Sequence, residues 1–204
     1  MNFSQKRGCN TLHSYTYIML KSGSLREKIL VAKLNNKSAD AFAILYDAYA
    51  ERLYRFIYFK VTNREEAEDL SSQTFLKIWQ YALEGKLKTK ESFQAFIYKV
   101  ARNSVIDYYR ATRKKKRNVA LDAAATIADE HSPEVTLDTK LAVSRVEEKL
   151  RSLKSEYQEV LILHYLNELS IHEIASIVEK KKGAVRVLLH RALKALKDLE
   201  IKPQ

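Results

Sequence analysis

A chain of 204 residues with 46% hydrophobic content can bury a core in one domain or in two small ones, which excludes a wholly disordered tail. Its 36 Lys and Arg against 25 Asp and Glu leave a net charge of +11, beyond what solubility needs, and point to a polyanionic partner. The lone Cys9 excludes an internal disulfide, no Cys/His cluster has metal-ligand spacing, and no run approaches the roughly 20 apolar residues of a membrane span. These features indicate a reducing, cytoplasmic setting and imply no metal, cofactor or small-molecule substrate.

Residues 1–24 read as a disordered leader, with Met19 as an alternative start. Ser24 and Glu27 then make a capping-box opening for a helix carrying Leu25, Ile29 and Ala32 on one side. Phe42, Leu45, Tyr49, Leu53, Phe56 and Ile57 recur at spacings of three and four, an apolar stripe of more than four turns. Asn63 can cap a third helix whose first turns hold Glu65, Glu66, Glu68 and Asp69, where the helix dipole favours acids. Its apolar positions are Ala67, Leu70, Phe75, Ile78 and Trp79. After the basic loop "EGKLKTK", Ser92 can open a fourth helix that buries Phe93, Phe96, Ile97, Val100, Ala101 and Val105 and ends in "DYYRATRKKKR".

Charge divides the chain. Residues 25–117 hold 20 basic and 11 acidic side chains and residues 140–204 hold 13 and 9, whereas 118–139 hold five acids and no Lys or Arg. That middle stretch has a proline, five alanines and no sustained stripe, as expected of a flexible acidic linker. Beyond it come Leu141, Val146, Leu150 and Leu153, then Ser155 with Gln158 as a second capping box, and Ser170 with Glu173 as a third. No alternating apolar pattern competes, so the expected fold is all-α: two small helical domains, 25–117 and 140–204, joined by the linker, the second ending in a helix-turn-helix.

In "SIHEIASIVEKKKGAVRVLLHRALKAL" the apolar pattern breaks over Glu179–Lys181 and resumes with Val185, Leu188, Leu189, Ala192 and Leu196, describing two short helices around a tight turn. Lys182, Arg186, His190 and Lys197 fall on one side of the second helix, clear of the apolar face, and suit a DNA groove. Gly183 has two readings. It lets the helix N-terminus approach a phosphate closely, or it merely relaxes the turn beside solvated lysines.

At this point the residues carry a family likeness, covering about residues 25–199. "EEAEDLSSQTFLKIW" resembles the polymerase-binding helix of extracytoplasmic-function sigma factors, "FQAFIYKVARNSVIDYYR" their promoter-melting helix, and "LKSEYQEVLILHYLNELSIHEIASI" with "GAVRVLLHRALKAL" their minus-35-reading domain. The resemblance implies a monomeric subunit that binds bacterial RNA polymerase core, directs it to promoter DNA and helps open the strands. It assigns polymerase docking to Asp69, Gln73, Phe75, Leu76 and Trp79, although Phe75 and Trp79 also fit a core stripe. It assigns the minus-10 element to Lys86, Lys88, Arg102, Asn103, Asp107, Tyr108, Arg110, Arg113 and Lys114. The minus-35 element falls to Lys182, Gly183, Ala184, Arg186, His190 and Arg191. The chemistry is sound independently, since amides and guanidinium groups can bond exposed base edges, a tyrosine can stack on a base, and cations neutralise phosphate. The likeness further implies an acidic linker that threads the polymerase cleft, and a membrane-anchored anti-sigma partner.

The sequence departs from the family in the turn. Where a glycine, an aliphatic residue and a serine cap are usual, it has Glu179, Lys180 and Lys181. A positive φ at Glu179 would cost about 1 kcal/mol, and Lys181 forfeits a cap worth about as much. Three other readings compete, of which a basic membrane-surface protein is weakened by apolar stripes broad enough to belong to packed cores. A metal nuclease could use Glu65, Glu66, Glu68 and Asp69, but no second carboxylate or His cluster completes such a site, and "HEIAS" lacks the second His of a zinc-protease helix. A stand-alone helix-turn-helix regulator would leave the third and fourth helices without a task.

Overall fold

In a computed structural model of the chain, residues 20, 22–61, 63–87, 92–118 and 148–201 are described. The leader through residue 19, Leu141, Val146 and the linker beyond Asn118 lie outside the described residues; among the described residues no strand occurs.

Helix α1 (Leu25–Asn35) starts at Ser24, whose side chain accepts from the Glu27 amide. Burial reaches back into the segment expected as leader: Leu20 is 8% exposed within the core, and the Gly23 amide donates to the buried Glu27 carboxylate at 2.7 Å. The same carboxylate accepts the Tyr49 hydroxyl proton, and burial, with the Glu27 charge next, pushes the Tyr49 phenol well above its usual range. Helix α2 (Ala39–Val61) carries the long stripe inward, with Leu53, Phe56 and Ile57 fully buried. Helix α3 (Arg64–Leu83) is capped by Asn63, which accepts from the Glu66 amide at 3.0 Å. Helix α4 (Phe93–Asn118) begins where Ser92 accepts from the Ala95 amide at 3.2 Å. Its 26 residues make a rod of about 39 Å at 1.5 Å per residue. Helices α1, α3 and α4 all pack on α2, closing the first lobe.

The second lobe follows a helical stretch at 148–152. Helix α5 (Ser155–Leu161) runs directly into a π-turn (Ile162–Leu166), and helices α6 (Ile171–Ile177) and α7 (Lys182–Ile201) complete it. The expected cap at Ser155 is not formed. Lys154 holds the N-cap position without a side-chain bond, and the Ser155 carbonyl and hydroxyl instead accept from Lys60 Nζ at 3.2 and 3.4 Å. The Ser170–Glu173 box is complete. Val160, Leu163, Ile174, Ile177, Val185 and Ala192 form the apolar interior.

The turn between α6 and α7 retains the left-handed backbone despite its sequence. Glu179 has φ 56°, and the Lys180 amide donates to the Ala175 carbonyl at 3.0 Å. This is the six-to-one bond of a Schellman C-cap, a geometry that glycine adopts without steric cost. A glutamate is therefore held where its Cβ crowds the following carbonyl.

Candidate nucleic-acid and polymerase interface

Helix α3 sorts its polymerase candidates by face. Asp69, Gln73 and Leu76 are exposed, and their spacing of four and three puts them on one side of the helix. Phe75 is not on that side. It is 4% exposed, its ring 4.5 Å from Tyr46 and 6.3 Å edge-on from Phe42 between centroids, so it belongs to the lobe's own core. Trp79 lies between the two, half-buried with its ring 5.1 Å from Phe42.

Helix α4 also divides its candidates. Asn103, Asp107, Arg110 and Arg113 are exposed, with Arg110 3.6 Å from Asp107. Tyr108 is half-buried, its ring 5.3 Å from that of Tyr109, and burial followed by the Glu66 charge raises its pKa. Arg102 is turned toward the second lobe, Nε 3.1 Å from Glu159 Oε1. Lys86 is exposed and pairs with Glu84 at 2.7 Å. Lys88 and the Lys114 side chain lie outside the described residues.

On helix α7 the minus-35 candidates share an open surface: Lys182, Gly183, Ala184, Arg186, His190 and Arg191 are all exposed, while Val185, Leu189 and Ala192 face the core. The reading of Gly183 as a turn-relaxing residue fails. It lies within the first turn of α7, the left-handed residue of the motif being Glu179, and a Cβ at Gly183 would meet nothing within 4 Å. Among the described residues nothing requires a glycine there.

The lobes meet through polar residues that sequence reasoning did not single out. Glu159 holds Arg102 and also Lys60, at 3.7 Å. Burial lowers the Lys60 pKa, only partly offset by the Glu159 charge. The Asn167 side chain accepts from the Tyr98 hydroxyl at 2.6 Å and its carbonyl accepts from Gln94 Nε2 at 2.7 Å. Glu173 gathers Ser22 at 2.8 Å, Ser92, and its own cap Ser170. Burial pushes the Glu173 pKa up, but the hydrogen bonds from Ser92, Ser170 and Ser22 outweigh it and the net shift is downward. A cavity of about 660 Å³ opens between the lobes beside Phe59, Lys60, Arg102, Tyr109, Arg113 and Glu159. The available signal was a polar residue inside an apolar stripe, at Gln94, Glu159 and Asn167. Among the described residues no cluster of His, Cys, Asp or Glu has metal-site geometry, and no helix is long and apolar enough to cross a membrane.

This two-lobed helical frame matches known proteins over most of its length. Residues 45–115 match the Sigma-70 region 2 family and residues 144–196 the Sigma-70, region 4 family. The chain is 32% identical over 182 residues to the ECF RNA polymerase sigma factor BldN of Streptomyces coelicolor, covering 87% of this chain and 67% of that one. It is 28% identical over 178 residues to the ECF RNA polymerase sigma factor SigW of Bacillus subtilis, covering 82% and 92%. The fold is shared with CnrH in complex with the cytosolic domain of CnrY, at a TM-score of 0.63 and 20% identity over 85% of this chain and 96% of that one. It is shared also with RpoE bound to the anti-sigma factor NepR from Bartonella quintana, at a TM-score of 0.60 and 20% identity over 79% and 98%. The chain belongs to the extracytoplasmic-function family of RNA polymerase sigma factors. It binds core polymerase and directs it to promoters for initiation, and the stand-alone regulator is not favoured.

Proposed function

We propose that residues 25–117 dock on core polymerase and melt the minus-10 element, that 140–204 read the minus-35 element, and that 118–139 serve as the acidic connection. Docking is carried by the exposed side of α3, Asp69, Gln73 and Leu76, with Trp79 at its edge. Phe75 supports that face from inside. Asn103, Asp107, Tyr108 and Arg110 on α4 engage unstacked bases, while Arg102, Arg113, Lys114, Lys86 and Lys88 neutralise phosphate. On α7, Arg186, His190 and Arg191 enter the duplex groove, and Lys182, Gly183 and Ala184 bring the helix N-terminus against the backbone.

The observation that supports this division most directly is the separate match of residues 45–115 to Sigma-70 region 2 and of residues 144–196 to Sigma-70, region 4. The protein works by binding alone, without catalysis, in the cytoplasm. An anti-sigma protein is a fitting regulator, because CnrH and RpoE, two of the solved neighbours, are each bound to a partner protein, in RpoE's case an anti-sigma factor. Run-off transcription from genomic promoter fragments, with purified core polymerase and this chain as the only specificity subunit, tests the assignment. Initiation that is no greater with the chain than without it would remove it.

A further inference from the structure

We propose that the cavity in the seam between the lobes is a binding site for a nucleoside polyphosphate, its phosphates among Lys60, Arg102 and Arg151 and its base on the apolar wall beside Tyr109. Five basic side chains line this cavity, Lys60, Arg102, Arg110, Arg113 and Arg151, against two carboxylates, Glu156 and Glu159. Both carboxylates are already engaged, Glu156 by Lys180 at 3.3 Å and Glu159 by Lys60 and Arg102 together. Among the described residues neither Arg113 nor Arg151 is ion-paired. Arg151 is held instead by an aromatic face, its guanidinium carbon 5.3 Å from the centroid of the Tyr58 ring. The lining therefore keeps a surplus of positive charge.

That surplus is least screened around Lys60. The side chains of Lys60 and Glu159 are 8% and 10% exposed and that of Arg102 is 24% exposed, so one carboxylate serves two cations that water barely reaches. The trio is left one charge positive, a costly state away from water. A phosphate supplies the missing anion, and its several oxygens match the donor fork of a guanidinium. Phosphate alone does not use the rest of the space. The volume of about 660 Å³ suits a larger organic molecule, and Phe59, Val105, Ile106 and Leu153 give the cavity an apolar wall. The Tyr109 ring, 42% exposed, is tied by its hydroxyl to the Lys60 carbonyl and offers a face on which a planar base can stack. A ring joined to several phosphates is the chemistry that uses both features.

The test is calorimetric titration of the full chain with ATP in the presence of EDTA, set beside inorganic tripolyphosphate and adenosine. One ATP should bind per chain, at least about tenfold more tightly than either fragment, because only ATP meets both the cations and the apolar wall. Lys60→Met leaves Glu159 paired with Arg102 and should weaken ATP binding at least about tenfold. Arg151→Ala removes an exposed side chain that the core does not need, and should weaken it similarly. Arg55→Ala deletes the same charge outside the cavity, where Arg55 pairs with Glu51 at 3.5 Å, and should stay within about twofold of the parent. No saturable binding up to about 1 mM ATP, tripolyphosphate binding as tight as ATP, or equal weakening by Arg55→Ala and Arg151→Ala overturns the proposal. Run-off transcription by the unaltered chain with core polymerase, measured without added effector, reports on the function proposed above and moves independently of these results.

Discussion

Phe75 and Leu76 are consecutive on α3 and face opposite ways, the first 4% and the second 56% exposed. Phe75→Ala should cost about 3 kcal/mol or more, as removal of a buried ring does. Leu76→Ala should stay within about 0.5 kcal/mol of the parent while weakening affinity for core polymerase. Denaturant unfolding and a polymerase-binding titration separate the two, and a Leu76 variant with full affinity would take that residue out of the docking face.

Glu179 holds a left-handed backbone that disfavours any side chain. Glu179→Gly is expected to stabilise the second lobe by about 0.5–1 kcal/mol, the relief of strain being partly offset by the added freedom of the unfolded chain. The pair with Lys99 lost in the exchange is exposed and contributes little. A lower denaturation midpoint in this variant would contradict the strain argument.

Gly183 and Arg186 address the minus-35 surface from two directions. Gly183→Ala should leave stability unchanged or raise it by up to about 1 kcal/mol, alanine being the better helix former, yet reduce promoter affinity if the helix end closes on a phosphate. Arg186→Ala with Arg191→Ala should weaken use of the upstream element and leave binding to core polymerase intact. Footprinting of the reconstituted holoenzyme reads both, and an unaltered upstream footprint would count against α7.

Glu173 supplies an acid limb to stability. Its folded pKa lies below the ordinary 4.5 because three serines donate to the carboxylate. Its contribution is therefore complete above 4.5 and is lost as pH falls through the lower folded value. Glu173→Gln should flatten that limb in a pH series of thermal unfolding. A variant with the same acid profile as the parent would show that the serines do not select the ionised form.

The helices were legible from their caps and from the α2 stripe, but on α1 the side expected to be apolar, Leu25, Ile29 and Ala32, is exposed, and Leu30, Val31 and Leu34 are buried instead. Ser24, Asn63, Ser92 and Ser170 all act as caps where the sequence places them, and the α2 stripe is buried as its spacing requires. Ser155 misled, since a serine before an apolar run looks the same whether it caps its own helix or accepts from a lysine 95 positions away. Phe75 was legible only as apolar, because periodicity does not distinguish a core face from a docking face. The seam was not legible at all: Glu159 and Asn167 find their partners 57 and 69 residues distant, and no local pattern encodes such a meeting.

The π-turn at Ile162–Leu166 accommodates one residue more than an α-helical turn. Just past it, Asn167 uses its amide twice, donating to the Ile162 carbonyl at 3.2 Å and accepting from Tyr98. Deleting a single residue here would let the turn revert to the ordinary α-helical repeat and remove the wide bond by which the Asn167 backbone N–H reaches the Ile162 carbonyl at 3.0 Å. The placing of Asn167 against Tyr98 and Gln94 thus depends on one supernumerary backbone unit, which makes this short segment the place where a deletion would loosen the second lobe's hold on α4.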